Sequence, residues 1–218
     1  MQSNSINNNV IYGVFKNKIT NKKLVYYPCP KNANSSAKLF FAKHLKVEHN
    51  LFFISDDIPE YKQDRSEFSN QNNLVNFLPA KQPFKKLSSE FVKCCIIRDP
   101  IDRFLSAYKN RILFHKDFDF RDLSIDDILS KLLDNQFTNK HFLPQSYFLG
   151  NDLKYYNFFS DLNNIKKFEE NVNSFFNTEI FFPKIQTGGN NLEINLTKEQ
   201  STKIKKIYES DYLLINSV

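Results

Sequence analysis

The sequence contains few of the residues that define several common protein classes. Of its 218 residues only 4 are Gly, 8 are Pro and 3 are Cys, and Trp is absent. So little Gly and Pro excludes collagen-like and low-complexity chains. No stretch approaches the ~18 consecutive apolar residues that cross a bilayer. Residues 1–9 are polar and Asn-rich and do not resemble a signal peptide. We expect a flexible arm over 1–9 and a cytoplasmic protein, with contact at the inner membrane face left open.

The cysteines show neither a disulfide framework nor a metal-ligand pattern. Cys29 stands alone, whereas Cys94 and Cys95 are adjacent within an apolar run. Adjacent residues of a strand point to opposite faces of its sheet, so these two thiols are poorly placed to bridge. No C-x-x-C spacing occurs, and the 4 histidines are scattered. We expect three buried thiols, a reducing compartment and no metal.

Arginine is the scarce basic residue. The 30 Lys and Arg residues outnumber the 24 acidic ones, and the net charge of +6 favours an anionic partner without choosing among nucleic acid, phosphate, acidic sugar and membrane. Arg98, Arg103 and Arg111 nevertheless fall close together. Because Arg has a planar fork that matches phosphate, this cluster indicates an anion site. The alternative is a chance cluster on a solvated helix.

The apolar pattern predicts strands that alternate with helices. Three short apolar runs are typical of buried strands: Leu24–Pro28, Leu51–Ser55 and Phe91–Ile97. Apolar residues in Ala37–Lys46 have helical spacing. Asp99 and Pro100 start another helix, whose apolar face runs to Leu113. We therefore predict a single α/β domain over residues 10–218, with a mainly parallel central sheet flanked by helices.

The segment between the first strand and the first helix has the properties of an anion-binding loop. It consists of Lys31, Asn32, Ala33, Asn34, Ser35 and Ser36. Lys31 supplies a full positive charge, and the amides after it lie at a helix N-terminus, which favours phosphate. The pattern G-x-x-x-x-G-K-[ST] is absent, which disfavours an ATP or GTP hydrolase. An ordinary capped turn with an exposed lysine is the alternative.

A second anion-binding unit is predicted where Arg98 follows a strand. Ligands of open α/β sheets bind at the carboxyl ends of the strands. Arg103 and Ser106 are three residues apart on the next helix, so they share a face and can converge on one anion. The alternative for Arg103 is a surface residue or an ion pair with Asp99 or Asp102.

The two units, in this order, resemble the sulfotransferase family, within the branch of Golgi carbohydrate sulfotransferases and their bacterial relatives. The matching residues are Pro30-Lys31-x-Ala33-x-Ser35-Ser36 and Ile97-Arg98-Asp99-Pro100-x-x-Arg103-x-x-Ser106-x-Tyr108. Further matches are His141-Phe142-Leu143-Pro144-Gln145, Lys167-Phe168-Glu169, Leu196-Thr197-x-x-Gln200 and Ile207-Tyr208-x-x-Asp211-Tyr212. The resemblance covers the chain from about residue 22 to 213.

This resemblance implies a P-loop-like sulfotransferase fold and 3′-phosphoadenosine-5′-phosphosulfate (PAPS) as the sulfuryl donor. The product would be adenosine 3′,5′-bisphosphate. Lys31 with residues 32–36 would bind the 5′-phosphosulfate, and Arg98 with Ser106 would bind the 3′-phosphate. The acceptor would be a hydroxyl, with a carbohydrate as the class expectation. Neither a metal nor a nucleic acid is expected as a partner.

Sulfuryl transfer is an in-line displacement, analogous to phosphoryl transfer. Lys31 is the candidate for stabilising charge on the leaving phosphate. His141 is the candidate general base, because it lies in a matched segment and an unperturbed His titrates at pH ~6.5. Alternative bases are His49 and the carboxylates within 56–90: Asp56, Asp57, Glu60, Asp64, Glu67 and Glu90. Three other classes stay open: a nucleotide kinase or ATPase, a non-catalytic basic module for nucleic acid or acidic glycan, and a sulfotransferase relative without turnover.

Overall fold

The computed structural model describes residues 10–17, 19–45, 75–80, 84, 86–117, 121–137, 139–185 and 192–218. Its strands are β1 Val10–Lys16, β2 Lys23–Tyr27, β3 Val75–Ala80, β4 Phe91–Ile97 and β5 Phe158–Asp161. Its α-helices are α1 Asn34–Leu45, α2 Pro100–Ala107, α3 Ile125–Leu133, α4 Gln145–Leu149, α5 Ile165–Phe176, α6 Lys198–Ile207 and α7 Glu209–Ile215. The predicted arm over 1–9 and the predicted strand Leu51–Ser55 lie outside the described residues.

The five strands form one sheet in the order β3-β1-β2-β4-β5. β4 pairs in parallel with both β2 and β5, whereas β1 pairs antiparallel with both β2 and β3. The strands β2, β3, β4 and β5 therefore share one direction, and β1 runs against them. The predicted α/β fold with a mainly parallel sheet is confirmed. Because β2 and β4 are parallel neighbours, the segments that follow them meet at the same edge of the sheet.

Helices cover both faces of the two central strands, which explains their continuous apolar sequence. Leu24 in β2 packs in a core with α1 and α5, whereas its neighbour Val25 packs with α4 and α7. Cys94 and Cys95 in β4 divide between the same two cores, and together with Cys29 they are buried free thiols. The predicted state of the three thiols is confirmed.

Local sequence signals set several helix ends. Asp99 accepts two hydrogen bonds from the first turn of α2, and Pro100 is the first residue of that helix, as predicted. Thr197 and Gln200 form a reciprocal capping box at the start of α6. Tyr208 divides the C-terminal helical segment into α6 and α7.

A π-helical stretch from Tyr108 to Phe114 continues α2. The sequence predicts a regular helix with an apolar face that reaches Leu113, whereas the wider π turns leave Ile112 buried and Leu113 exposed. This stretch also carries Asn110, whose side chain contacts the first anion-binding unit. π-Helical turns are frequent at functional sites.

Candidate active site

Loop 1, which comprises residues 30–36, follows the carboxyl end of β2 and includes the first turn of α1. The backbone angle φ is 69° at Lys31 and 53° at Ala33, and it is negative at Asn32 between them. Alternation of this kind turns successive N–H groups to one side, as in an anion-binding nest. A left-handed conformation costs a residue other than Gly about 1–2 kcal/mol. Two such residues in one short loop indicate a functional conformation that the surrounding packing holds in place.

Asn32 supports loop 1 from the interior of the protein. Its side chain is fully buried, and Nδ2 donates to the carbonyl oxygen of Ile96 (2.8 Å) and to Oε1 of Gln145 (3.0 Å). Its backbone N–H donates to the carbonyl oxygen of Cys29 (3.2 Å). These donors are all used within the protein, which favours a supporting role for Asn32 over the predicted direct contact with an anion. Its position is that of a residue holding loop 1 against the end of β4.

The other residues of loop 1 lie at the start of α1. Asn34 and Ser35 are half-buried in its first turn. Ser36 is buried, and its Oγ accepts a hydrogen bond from the backbone N–H of Ile185 (3.2 Å). A hydroxyl oxygen that accepts still has its own proton to donate. These residues therefore place hydroxyl and amide groups at the helix N-terminus, where an anion is stabilised.

Arg98 directly follows β4 and extends to loop 1. Its Nη1 donates to the carbonyl oxygen of Lys31 (3.1 Å). Burial lowers the pKa of the Arg98 guanidinium, and the carboxylates of Asp102 and Asp161 oppose that shift. The two anion-binding units that the sequence predicts separately are thus in direct contact at the carboxyl edge of β2 and β4.

Arg103 contacts loop 1 from the interior of the protein. It is 1% exposed, and its guanidinium donates to the carbonyl oxygens of Pro30 (3.0 Å, from Nε) and Leu143 (2.7 Å, from Nη1). The burial of the guanidinium and these two hydrogen bonds favour a supporting role for Arg103 over the predicted contact with the donor. It joins loop 1 to the segment before α4. Ser106, one turn further along α2, is half-buried and stays a candidate.

The side chain of Lys31 extends to the π-helical stretch. Its Nζ donates a hydrogen bond to Oδ1 of Asn110. The neighbouring Arg111 forms an ion pair with Asp117 (2.7 Å). The π-helical stretch therefore brings an amide oxygen to the lysine that the sequence selected.

His141 precedes α4, and Asn139 determines which of its ring nitrogens carries the proton. Oδ1 of Asn139 lies 2.9 Å from the backbone nitrogen of His141 and 2.9 Å from its Nδ1. An atom that accepts from a backbone N–H is an oxygen, so Nδ1 carries the proton and Nε2 carries the lone pair. Burial, then the positive charges of Lys31 and Arg111, lowers the pKa of His141 to about 2. The imidazole is therefore neutral, which is the form that a general base requires.

Gln145, for which the sequence predicts no role, connects the two anion-binding units. The side chain is fully buried. Its Oε1 accepts from Nδ2 of Asn32 (3.0 Å) and from the backbone N–H of Arg98 (3.3 Å), while its Nε2 donates to the carbonyl oxygen of Arg98 (2.8 Å). The place of Gln145 in the matched segment His141–Gln145 was the available signal, but the partners of its side chain are distant in sequence.

Asp211 of α7 holds α4 in place and was likewise given no role. This fully buried carboxylate accepts hydrogen bonds from the backbone N–H groups of Gln145 (2.9 Å) and Ser146 (2.8 Å). Burial raises the pKa of Asp211, and the positive charge of Arg103 opposes this. The C-terminal helices therefore position the segment that carries His141 and Gln145.

Of the alternative bases, only Glu90 lies among the described residues. His49 and the carboxylates at positions 56, 57, 60, 64 and 67 lie outside them. Glu90 is described, but it is exposed and precedes β4, so it lies at the opposite edge of the sheet from Arg98. Within the described ranges, no group of three or more His, Cys, Asp or Glu residues is arranged to hold a metal ion. None of the described helices has the length and apolar character needed to cross a membrane.

The fold and the site together define an α/β protein that presents a lysine loop, an arginine and a neutral histidine at the carboxyl edge of a parallel sheet. The Sulfotransferase family model matches residues 19–216, nearly the whole chain. The chain therefore belongs to the sulfotransferase family, whose members are transferases of the sulfuryl group. This confirms the resemblance and the fold predicted from the motifs. No curated protein and no solved structure matches the chain.

Proposed function

We propose that this sulfotransferase takes the sulfuryl group from PAPS and transfers it to a hydroxyl of a carbohydrate. PAPS has a phosphosulfate at the 5′ end and a phosphate at the 3′ position, so it needs two neighbouring anion sites. The hydrogen bond between Arg98 and the carbonyl oxygen of Lys31 (3.1 Å) carries this proposal, because it joins two such sites. The carbohydrate class is supported by the resemblance of the motifs to the carbohydrate branch of the family.

The residues around the donor divide into two groups. Lys31, together with amides and hydroxyls of residues 33–36, binds the 5′-phosphosulfate. Arg98 and the half-buried Ser106 bind the 3′-phosphate. The buried residues Asn32 and Arg103 support these contacts from behind and do not touch the donor.

His141 and Lys31 carry out the chemical step. His141 accepts the proton of the acceptor hydroxyl at Nε2 while the hydroxyl oxygen forms a bond to sulfur. The bond between sulfur and the oxygen of the 5′-phosphate breaks, which gives a sulfate ester and adenosine 3′,5′-bisphosphate. Lys31 stabilises the negative charge that develops on the leaving phosphate. No metal takes part in this scheme.

Donor binding also adjusts the basicity of His141. In the protein alone, burial and the charges of Lys31 and Arg111 lower the pKa of His141 to about 2. A donor brings several negative charges to the same place and offsets these cations. An anion near an imidazole favours its protonated form, so the pKa of His141 rises towards the useful range when the donor is bound.

A screen of acceptors with radiolabelled PAPS tests this function, together with calorimetry of adenosine 3′,5′-bisphosphate binding. We expect label to enter a saccharide and the bisphosphate to bind without added metal. Label entering only a phenol or a peptide tyrosine would overturn the carbohydrate assignment. Failure to bind the bisphosphate, with binding or hydrolysis of ATP instead, would overturn the donor assignment.

A further inference from the structure

Gln145 joins two parts of the site that are far apart in sequence. Its amide oxygen accepts from the side chain of Asn32 in loop 1 (3.0 Å) and from the backbone of Arg98 (3.3 Å). Its amide nitrogen donates back to the carbonyl oxygen of Arg98 (2.8 Å). One planar group thus holds the backbone of Arg98 through both its N–H and its C=O, and it holds loop 1 through a third bond.

Neither Gln145 nor Asn32 can touch a ligand, because both side chains are fully buried. Both are themselves fixed by further contacts. Asp211 accepts the backbone N–H of Gln145 (2.9 Å), and Asn32 donates to the carbonyl oxygen of Ile96 (2.8 Å). The connection between loop 1 and Arg98 is therefore rigid on both sides.

The proposed donor is a bivalent anion. Once one end is bound, binding of the second end is intramolecular, and its strength depends on how well the fixed distance between the two sites matches the ligand. Pre-organisation of that distance removes an ordering cost that binding would otherwise incur. A group that fixes the distance therefore increases the affinity for a ligand with two anionic ends but not for a ligand with one.

We propose that Gln145 is a positioning residue that fixes the distance between loop 1 and Arg98, and thereby couples the two ends of the donor. This inference depends on the proposed function, because it takes loop 1 and Arg98 as the two phosphate sites. The expected signature is selective. Loss of the Gln145 side-chain hydrogen bonds lowers the affinity for a ligand with two phosphates and leaves the affinity for ligands with one phosphate nearly unchanged.

The test compares three ligands by calorimetry: adenosine 3′,5′-bisphosphate, adenosine 3′-monophosphate and adenosine 5′-monophosphate. Gln145→Met keeps the length of the side chain and removes its hydrogen bonds. We expect this variant to lower the affinity for the bisphosphate about 10-fold or more, and to lower the affinity for each monophosphate less than about 3-fold. Gln200→Met is the matched control, because it is the same substitution at a side chain that contacts Thr197 (3.1 Å) and Asp126 (2.9 Å) and not the anion-binding units. It should leave all three affinities unchanged.

Asn32→Leu is a second variant that removes the same bond from the other side, and it must show the same selectivity. Asn32→Leu also provides the test of the inference if Gln145→Met does not fold. An equal loss of affinity for all three ligands would indicate general damage to the fold and would overturn the inference. An unchanged affinity for the bisphosphate would overturn it as well. If the unaltered protein binds none of the three ligands, the proposed donor is wrong, and that outcome is distinct from a failure of the positioning role.

Discussion

Nδ1 of His141 lies 2.9 Å from Oδ1 of Asn139, and that contact leaves Nε2 as the basic nitrogen of the ring. The same amide oxygen accepts the backbone N–H of His141 (2.9 Å), so one side chain holds both the ring and the backbone of this residue. Lys31 and Arg111 lie near enough to lower the pKa of this histidine. The candidate base, its orienting group and the candidate lysine therefore form one connected arrangement.

We expect His141→Ala to abolish transfer while leaving donor binding intact. Removal of a general base typically lowers the rate by about 10²–10⁴-fold. The measurement is turnover with labelled PAPS beside the dissociation constant for adenosine 3′,5′-bisphosphate. His115→Ala is the control, since His115 is exposed at the end of the π-helical stretch. Full activity of His141→Ala would transfer the role of base to another residue.

The titration of His141 should depend on the ligand. In the protein alone burial and nearby cations lower its pKa to about 2, so the imidazole should stay neutral between pH 5 and 8. Adenosine 3′,5′-bisphosphate adds negative charge beside the ring and should raise this pKa. Histidine NMR titrations with and without the bisphosphate measure both values. If His141 titrates near the ordinary pH of ~6.5 in the free protein and the bisphosphate does not change that midpoint, then His141 does not lie among these charges.

Three substitutions should separate ligand contacts from structural support. Lys31→Ala and Arg98→Ala each remove a charge-assisted contact that contributes about 1.5–3 kcal/mol. Each should therefore lower the affinity for the bisphosphate by about 10-fold or more. Arg103→Ala removes a buried guanidinium that donates to two carbonyl oxygens, so it should lower the free energy of unfolding by about 2 kcal/mol or more. Lys205→Ala, an exposed change on α6, is the control for charge.

Calorimetry and chemical denaturation of the same four proteins distinguish these roles. If Arg103→Ala keeps its stability but no longer binds the bisphosphate, then Arg103 contacts the donor directly and is not a structural support. Unchanged binding in both Lys31→Ala and Arg98→Ala would remove the basis for the donor site.

Acid should destabilise the protein through His44, a buried histidine of α1. Its Nδ1 contacts Oγ1 of Thr178 (2.7 Å), and its ring stacks on Phe176 with centroids 5.0 Å apart. Burial lowers the pKa of His44 to about 4, which is below the ordinary value of ~6.5 for an unfolded chain. As the pH falls, His44 is protonated in the unfolded chain at a higher pH than in the folded protein. The free energy of unfolding that is present above pH ~6.5 is therefore reduced as the pH falls towards 4.

Thermal unfolding of the unaltered protein and of His44→Gln at pH 7.5, 6.0 and 5.0 measures this effect. We expect the midpoint to fall with pH in both proteins, and to fall less in His44→Gln. His115→Gln is the matched control and should keep the full pH dependence, because His115 is exposed. Equal slopes in the unaltered protein and in His44→Gln would show that His44 does not contribute.

The sequence by itself determined β2, β4, α1, the start of α2 and the location of the candidate site. The apolar runs of β2 and β4, the Asp99–Pro100 start of α2 and the lysine loop before α1 depend on near neighbours in the chain, so they can be recognised locally. The rule that ligands bind at the carboxyl ends of parallel strands then placed loop 1 and Arg98 at one edge.

Only the tertiary structure decided what each polar side chain does there. Arg98 and Arg103 have the same chemistry and are close in sequence, yet Arg103 is 1% exposed because α2 packs it against the carbonyl groups of Pro30 and Leu143. Asn32 and Gln145 meet across 113 positions of sequence. Burial and hydrogen-bond partners depend on such distant contacts, and no local pattern contains them.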